Sequence, residues 1–134
     1  MNMNEIKKTM LESKNWAIYG ATPDKNKFGY KIPTRMKNHG YKVFGINPKY
    51  KGETVNDVEI YSSLDEINEK IDCIDIVVNP KIAMMVIDEA VKNGIKYLWF
   101  QPGTWDDEVI KKALDNNLNI VYCHFVYAIL CMEE

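Results

Sequence analysis

The chain has only three cysteines and two histidines in 134 residues. Cys73, Cys123 and Cys131 form no CxxC pair, HExxH is absent, and two histidines cannot build a histidine-rich metal site, so zinc sites of those kinds are excluded. An odd number of cysteines suits a reducing compartment, and each is expected as buried filler. Also missing are the GxSxG elbow of serine hydrolases, the GxxxxGK[ST] loop of nucleotide triphosphatases and the GxGxxG dinucleotide fingerprint. No apolar run approaches the roughly 18 residues of a membrane span. The opening "MNMNEIKKTMLESKN" has neither the apolar stretch nor the small-residue cleavage site of a signal peptide, so a cytoplasmic protein with no membrane association is expected.

What is present is the composition of a soluble globular protein, 46% hydrophobic and 27% charged. The length suits one core, and a single domain over 1–134 is expected, with residues 1–14 as a leading helix. Net charge is −2, but it is unevenly spread. Between Ala21 and Gly52, eight basic residues face one acid, Asp24, giving a local charge of +7 against −9 elsewhere. Such asymmetry inside a small domain points to an anionic partner near the first third of the chain. Nucleic acid is not expected, because the overall charge is negative and no nucleic-acid-binding motif appears.

Strand-like runs alternate with helical patterns. "WAIYG", "KVFGIN", "CIDIVVN", "KYLWFQ" and "NIVYC" are mostly apolar without clean alternation, as strands covered on both faces are. Helical spacing predicts a leading helix over Met3–Ser13 capped by Asn4, then helices over about Tyr30–His39, Lys81–Asn93 and Asp106–Asn117. Gly40 and Gly94 stand at C-terminal caps, and Asn79 precedes a first-turn proline. Thr104 with Asp107, and Ser63 with Glu66, resemble capping boxes. Pro33 would kink a helix begun at Phe28, so the regular helix is placed from about Ile32. The polar segment "KGETVNDVEIYSSLDEINEK" is expected to hold a small strand and a short helix. The predicted fold is α/β: a Rossmann-like, doubly wound parallel sheet of five main strands in order 3-2-1-4-5, with helices on both faces. Ligands of such sheets sit beyond the carboxyl ends of the strands at the switch point.

That geometry gives the loop "GATPDKNKFGYK" a chemical reading. A glycine directly after the first strand allows close backbone approach, and the amides of the next helix start favour an anion. Lys25, Lys27 and the Thr22 hydroxyl can supply what the missing glycines of a dinucleotide loop do not. NAD-binding domains carry Asp or Glu after the second strand for the ribose hydroxyls. Here Asn47, Pro48 and Lys49 stand instead, which favours a ribose bearing an extra phosphate, as in NADP or coenzyme A.

From Trp16 to about Ile129 the chain resembles the family of small stand-alone CoA-binding proteins. More distantly it resembles the CoA-binding domain of succinyl-CoA synthetase-type ligases. The resemblance rests on "AIYGATPDKNKFGYKI", "HGYKVFGINPKYKGE", "YSSLDEI", "IDIVVNP", "GIKYLWFQPG" and "YCH", in that order and spacing. It implies that Gly20, Ala21, Thr22, Lys27, Tyr30, Asn47, Pro48 and Lys49 hold the phosphorylated nucleotide end. It further implies that Asn79, Pro80, Gln101 and Gly103 line the path of the pyrophosphate and pantetheine. The chain departs from the family at Pro102-Gly103, where Leu-Gly is frequent, and after Tyr122-Cys123-His124-Phe125, where apolar "VYAIL" replaces charged residues.

The expected function is binding of CoA or an acyl-CoA without catalysis. Cys123 and His124, as strand neighbours, would point to opposite faces and make a poor nucleophile–base pair. Asp72 and Asp75 read as a turn cap and a backbone partner, and Trp99 and Trp105 as packing residues. The histidine that transfers phosphate in ligases of the related kind lies in a second domain, so such activity here would need a partner subunit. A homo-oligomer is equally compatible. The alternatives are an NADP-binding oxidoreductase or redox sensor, and a protein-interaction subunit with a vestigial crevice.

Overall fold

The computed structural model describes residues 1–124 and Val126; Cys131 and most of the apolar "VYAIL" stretch lie outside the described residues. Helix α1 (Met3–Glu12) leads into β1 (Asn15–Tyr19), α2 (Phe28–Asn38) and β2 (Lys42–Ile46). A hairpin of β3 (Thr54–Val55) and β4 (Val58–Tyr61) follows. The chain then runs through β5 (Cys73–Ile76), α3 (Pro80–Lys92), β6 (Tyr97–Phe100), α4 (Asp107–Asp115) and β7 (Asn119–Val121). The seven strands form one sheet in the order β3-β4-β2-β1-β5-β6-β7, parallel throughout except for the β3–β4 pair.

The α/β class and the doubly wound sheet agree with the sequence, but the strand order does not. The "CIDIVVN" strand lies directly against β1, with Trp16 opposite Cys73 and Tyr19 opposite Ile76. The place assigned to it, beyond β2, belongs to β4, where Gly45 pairs with Ile60 and Ile46 with Tyr61. The small strand of the polar segment thus completes one half of the sheet, and the chain crosses to the other side of β1 only afterwards. The switch point therefore lies between β1 and β5.

Both faces of the central strands are covered, which is why they read as continuous apolar runs. Ala17, Tyr19, Ile74 and Ile76 pack on Ala83, Val86 and Ile87 of α3 and on Val109 and Ala113 of α4. Trp16, Ile18, Cys73 and Trp99 face the other way, onto Ile6 and Met10 of α1 and Ile32 and Met36 of α2. Ile18, Ile74 and Ile76 are wholly buried, each contributing about 1.5–3 kcal/mol relative to exposure.

Several caps differ from expectation. Asn2 rather than Asn4 caps α1, exchanging hydrogen bonds with Glu5 in a capping box. Asp106 caps α4 through the Val109 amide, while the Thr104 hydroxyl donates to the Gln101 carbonyl. Ser63 makes no side-chain cap. Glu66 instead accepts from the Ser62 amide and hydroxyl and pairs with Lys51 at 2.8 Å. Asn79 caps α3 as read, its side chain accepting from the Ile82 amide at 2.9 Å. Gly40 and Gly94 take the left-handed turns expected after α2 and α3. Helix α2 starts at Phe28, not Ile32, and carries Pro33 inside it.

Candidate functional site

The loop after β1 is built by close backbone approach. Gly20 leaves the strand with φ +110°, and its amide donates to the Ile46 carbonyl at 2.8 Å. A Cβ here would stand 2.5 Å from the Val77 carbonyl oxygen, so only glycine fits between β1 and the end of β5. Gly29, in the first turn of α2, is equally constrained: a Cβ would meet the Gly20 oxygen at 2.2 Å. Between the two glycines the loop is tied by its own polar groups. Thr22 Oγ1 accepts from the Asp24 amide at 3.2 Å, Asp24 Oδ1 from the Asn26 amide at 3.0 Å, and the Asp24 carbonyl from the Lys27 amide at 3.1 Å.

Asn47, at the end of β2, joins this loop to the next. Its Nδ2 donates to the Ala21 carbonyl at 2.9 Å, and its Oδ1 accepts from the Lys49 amide at 3.1 Å. Lys49 then places its ammonium over the Tyr50 ring, 5.3 Å from the centroid.

These segments enclose a cleft of about 520 Å³ at the switch point. Gly20, Thr22, Asn26, Lys27, Phe28 and Gly29 form one wall, Asn47, Lys49 and Tyr50 another, and Val77 and Val78 at the end of β5 the third. Its volume is that of a small-molecule site. Helix α2 begins at this cleft without a side-chain cap at Lys27 and with no acid in its first turn. Helices α1, α3 and α4 are each capped by an Asn or Asp side chain. The positive end of the α2 dipole, Lys27 and Lys49 therefore act together on one space, an arrangement that favours phosphate groups. Of the other basic residues of this segment, Lys31 lies over the Phe28 ring, Lys37 donates to the Asp57 carbonyl, and Lys42 and Lys51 pair with Glu69 and Glu66. A second cleft of about 390 Å³ opens at the opposite edge of the sheet, lined by Lys14, Lys37, Lys42, Asp57 and Glu59. Its charges are mixed, and two of its lysines are already paired.

Of the residues singled out from sequence, Gly20, Thr22, Lys27, Asn47 and Lys49 line the switch-point cleft. Ala21 lies buried beneath it, and Pro48 opens an exposed single helical turn beside it. Lys25 is exposed in the loop without reaching the cleft wall. Tyr30 turns away, its hydroxyl accepting from Asn56 of the β3–β4 hairpin at 2.9 Å. Asn79 and Pro80 form the cap and first position of α3, and Gly103 occupies an exposed turn with φ +86°. Gln101 is buried: its Nε2 donates to Asp75, and its Oε1 accepts from the Val126 amide at 3.3 Å. The cleft also contains Asn26, Phe28, Gly29, Tyr50, Val77 and Val78, which sequence reasoning missed. Gly29, a glycine in a first helical turn after a basic loop, was the available signal for a close approach.

Asp72 accepts from the Asn15 amide at 3.1 Å, whereas Asp75 lies fully buried in the middle of β5. Among the described residues its Oδ2 has no partner. Burial pushes its carboxyl up to about 8, an effect only partly offset by Gln101. Burial likewise pushes the Cys73 thiol up to about 12. Cys123, expected as filler, is exposed and lies with His124 past the end of β7 rather than in the strand. Trp99 is core, donating from its indole to the His124 carbonyl, and Trp105 packs edge-on against Tyr122. Among the described residues, no helix is long and apolar enough to cross a membrane.

A glycine-walled, basic cleft at the switch point of a Rossmann-like sheet lies where ligands of doubly wound folds sit. The chain belongs to the CoA binding domain family, matching it over residues 14–128. It is 34% identical over 83 residues to the ADP-forming acetate–CoA ligase of Methanocaldococcus jannaschii, a match covering 62% of this chain and 12% of the ligase. The chain thus corresponds to a small part of that relative's length. A solved structure of a hypothetical protein from Pyrococcus horikoshii OT3 superposes with a TM-score of 0.85 at 32% identity, covering 96% of this chain and 89% of that one. The chain is also 36% identical over 74 residues to the redox-sensing transcriptional repressor Rex of Clostridium beijerinckii, covering 49% of this chain and 35% of the repressor.

Proposed function

We propose that this protein binds coenzyme A or an acyl-CoA in the switch-point cleft and holds it without turnover. The observation that carries this reading is the convergence of the uncapped α2 N-terminus, Lys27 and Lys49 on a cleft walled by Gly20 and Gly29. Three phosphates on one adenosine carrier need this concentration of positive charge. Phe28 and Tyr50 offer the adenine flat apolar surfaces at the mouth. The pyrophosphate meets the α2 amides, Lys49 and Lys27 take the 3′-phosphate, and pantetheine leaves over Val77 and Val78 toward the end of β6. Asn47 supports the preference over NAD: no carboxylate stands there for a ribose diol, and its side chain is engaged with Ala21 and Lys49. Turnover of the ligase kind would draw its reacting groups from a partner subunit or another domain, since Cys73 is held as a thiol and Cys123 and His124 are not among the cleft residues.

The similarity to a redox-sensing repressor favours a second reading, a redox sensor, which the residues after β2 would pair with NADP in the same cleft. Thermal shifts with CoA, 3′-dephospho-CoA, NADP and NAD separate the two. A ligand at about 100 times its Kd stabilises by roughly 2.7 kcal/mol. CoA is expected to give the largest shift and 3′-dephospho-CoA a smaller one. Lys49→Ala should weaken CoA about tenfold and narrow the gap between these two ligands, with stability changed by no more than about 0.5 kcal/mol. A larger shift with NADP or NAD selects the second reading, and negligible shifts for all four select a protein-interaction subunit.

A further inference from the structure

We propose that Pro33 is a positioning residue for the cleft: by withholding a backbone donor inside α2, it leaves the Gly29 carbonyl free to fasten the β1 loop. In a regular helix the amide of residue 33 donates to the carbonyl of residue 29. Proline has no such amide, and its ring crowds that carbonyl outward. The Gly29 oxygen instead accepts from the Thr22 amide at 3.2 Å, a bond from outside the helix. Thr22 is a buried cleft residue whose hydroxyl organises the Asp24 turn, so this bond fixes the loop that carries Lys27. The same residue makes the second contact between helix and loop, the Gly29 Cα packing where a Cβ would strike the Gly20 oxygen. A substituted residue 33 would bring a competing donor located within the helix itself. The Thr22 amide would then compete for an acceptor turned back into the helix, and its bond, with the register of the loop on the helix, would weaken. Pro33 thus exchanges helix regularity for a prearranged cleft.

The role in ligand binding rests on the CoA reading above, but the hydrogen-bond exchange does not, and the two can be tested apart. In ¹⁵N-labelled ligand-free Pro33→Ala protein, amide hydrogen exchange at Thr22 should quicken about fivefold, the new backbone amide at position 33 should be protected, and strand β1 should be unchanged. CoA titrated calorimetrically should bind about fivefold more weakly, corresponding to the loss of one ordinary hydrogen bond, while Tm stays level or rises. Unchanged Thr22 protection overturns the proposal. So does a Tm that falls in step with CoA affinity, which would make Pro33 a general packing residue. If the wild-type protein takes up no CoA, the ligand reading fails while the exchange measurement still decides the role of Pro33.

Discussion

The carboxyl ends of β1 and β2 differ from those of β5 and β6, although all four open on the same edge of the sheet. On the first side α2, which follows β1, has no side-chain cap, two glycines bring backbones into contact, and Lys27 and Lys49 line the cleft. On the second side the polar groups are turned inward: Asn79 closes α3, and Gln101 joins Asp75 to the Val126 amide. Residues of one type at strand ends therefore share one task and differ in another. Asn47 and Asn79 each cap the helical turn opened by the following proline, but Asn47 also donates to the neighbouring loop, at the Ala21 carbonyl.

Filling the first side should have the largest effect. Gly29→Ala forces a methyl group against the Gly20 carbonyl, and its cost should be about 1–3 kcal/mol of stability together with at least a tenfold loss of CoA affinity. Denaturation and calorimetry read both, and normal affinity would show that the contact does not shape the cleft. Next comes the inward network of the second side. The raised folded carboxyl value of Asp75 means that the native state holds a proton which the unfolded chain gives up at about pH 4. Stability should therefore be greatest below about pH 4 as far as this group is concerned, and should decline as pH rises to about 8. Asp75→Asn should abolish this decline and, at pH 8, stabilise by about 1–3 kcal/mol. Equal pH slopes in urea denaturation would show that Asp75 does not titrate in this way. The smallest effect belongs to Asn79→Ala, which removes a cap worth about 1 kcal/mol and should leave CoA binding unaltered. A clear fall in affinity would place the Asn79 side chain itself within the site.

The sequence made the elements legible because each carried its own local signal: β-branched runs for the strands, glycines after α2 and α3, Asn79 before Pro80. The order of the strands had no such signal. Val58–Tyr61 is four residues long in polar surroundings, and only its register with Gly45 and Ile46 gives it a place inside the parallel sheet. Side-chain direction was hidden for the same reason. Tyr30 sits beside the basic loop in sequence, yet helix phase carries it to Asn56, and Gln101 at a strand end turns inward to Asp75 and the Val126 amide. Pro33 read as a helix boundary because propensity counts only its own neighbours, whereas its consequence appears at Thr22, in another segment. Five of the eleven cleft residues were therefore named in advance, Gly20, Thr22, Lys27, Asn47 and Lys49, all of them in the segments that follow β1 and β2.

Among the described residues the sheet ends on one side in β3, two residues long and running against its neighbour, and on the other in β7, three residues long. An intruding strand would find almost no ladder to extend at either margin. Pairing of two copies through either of these described edges would gain few backbone hydrogen bonds, so the sheet resists growing into a fibre.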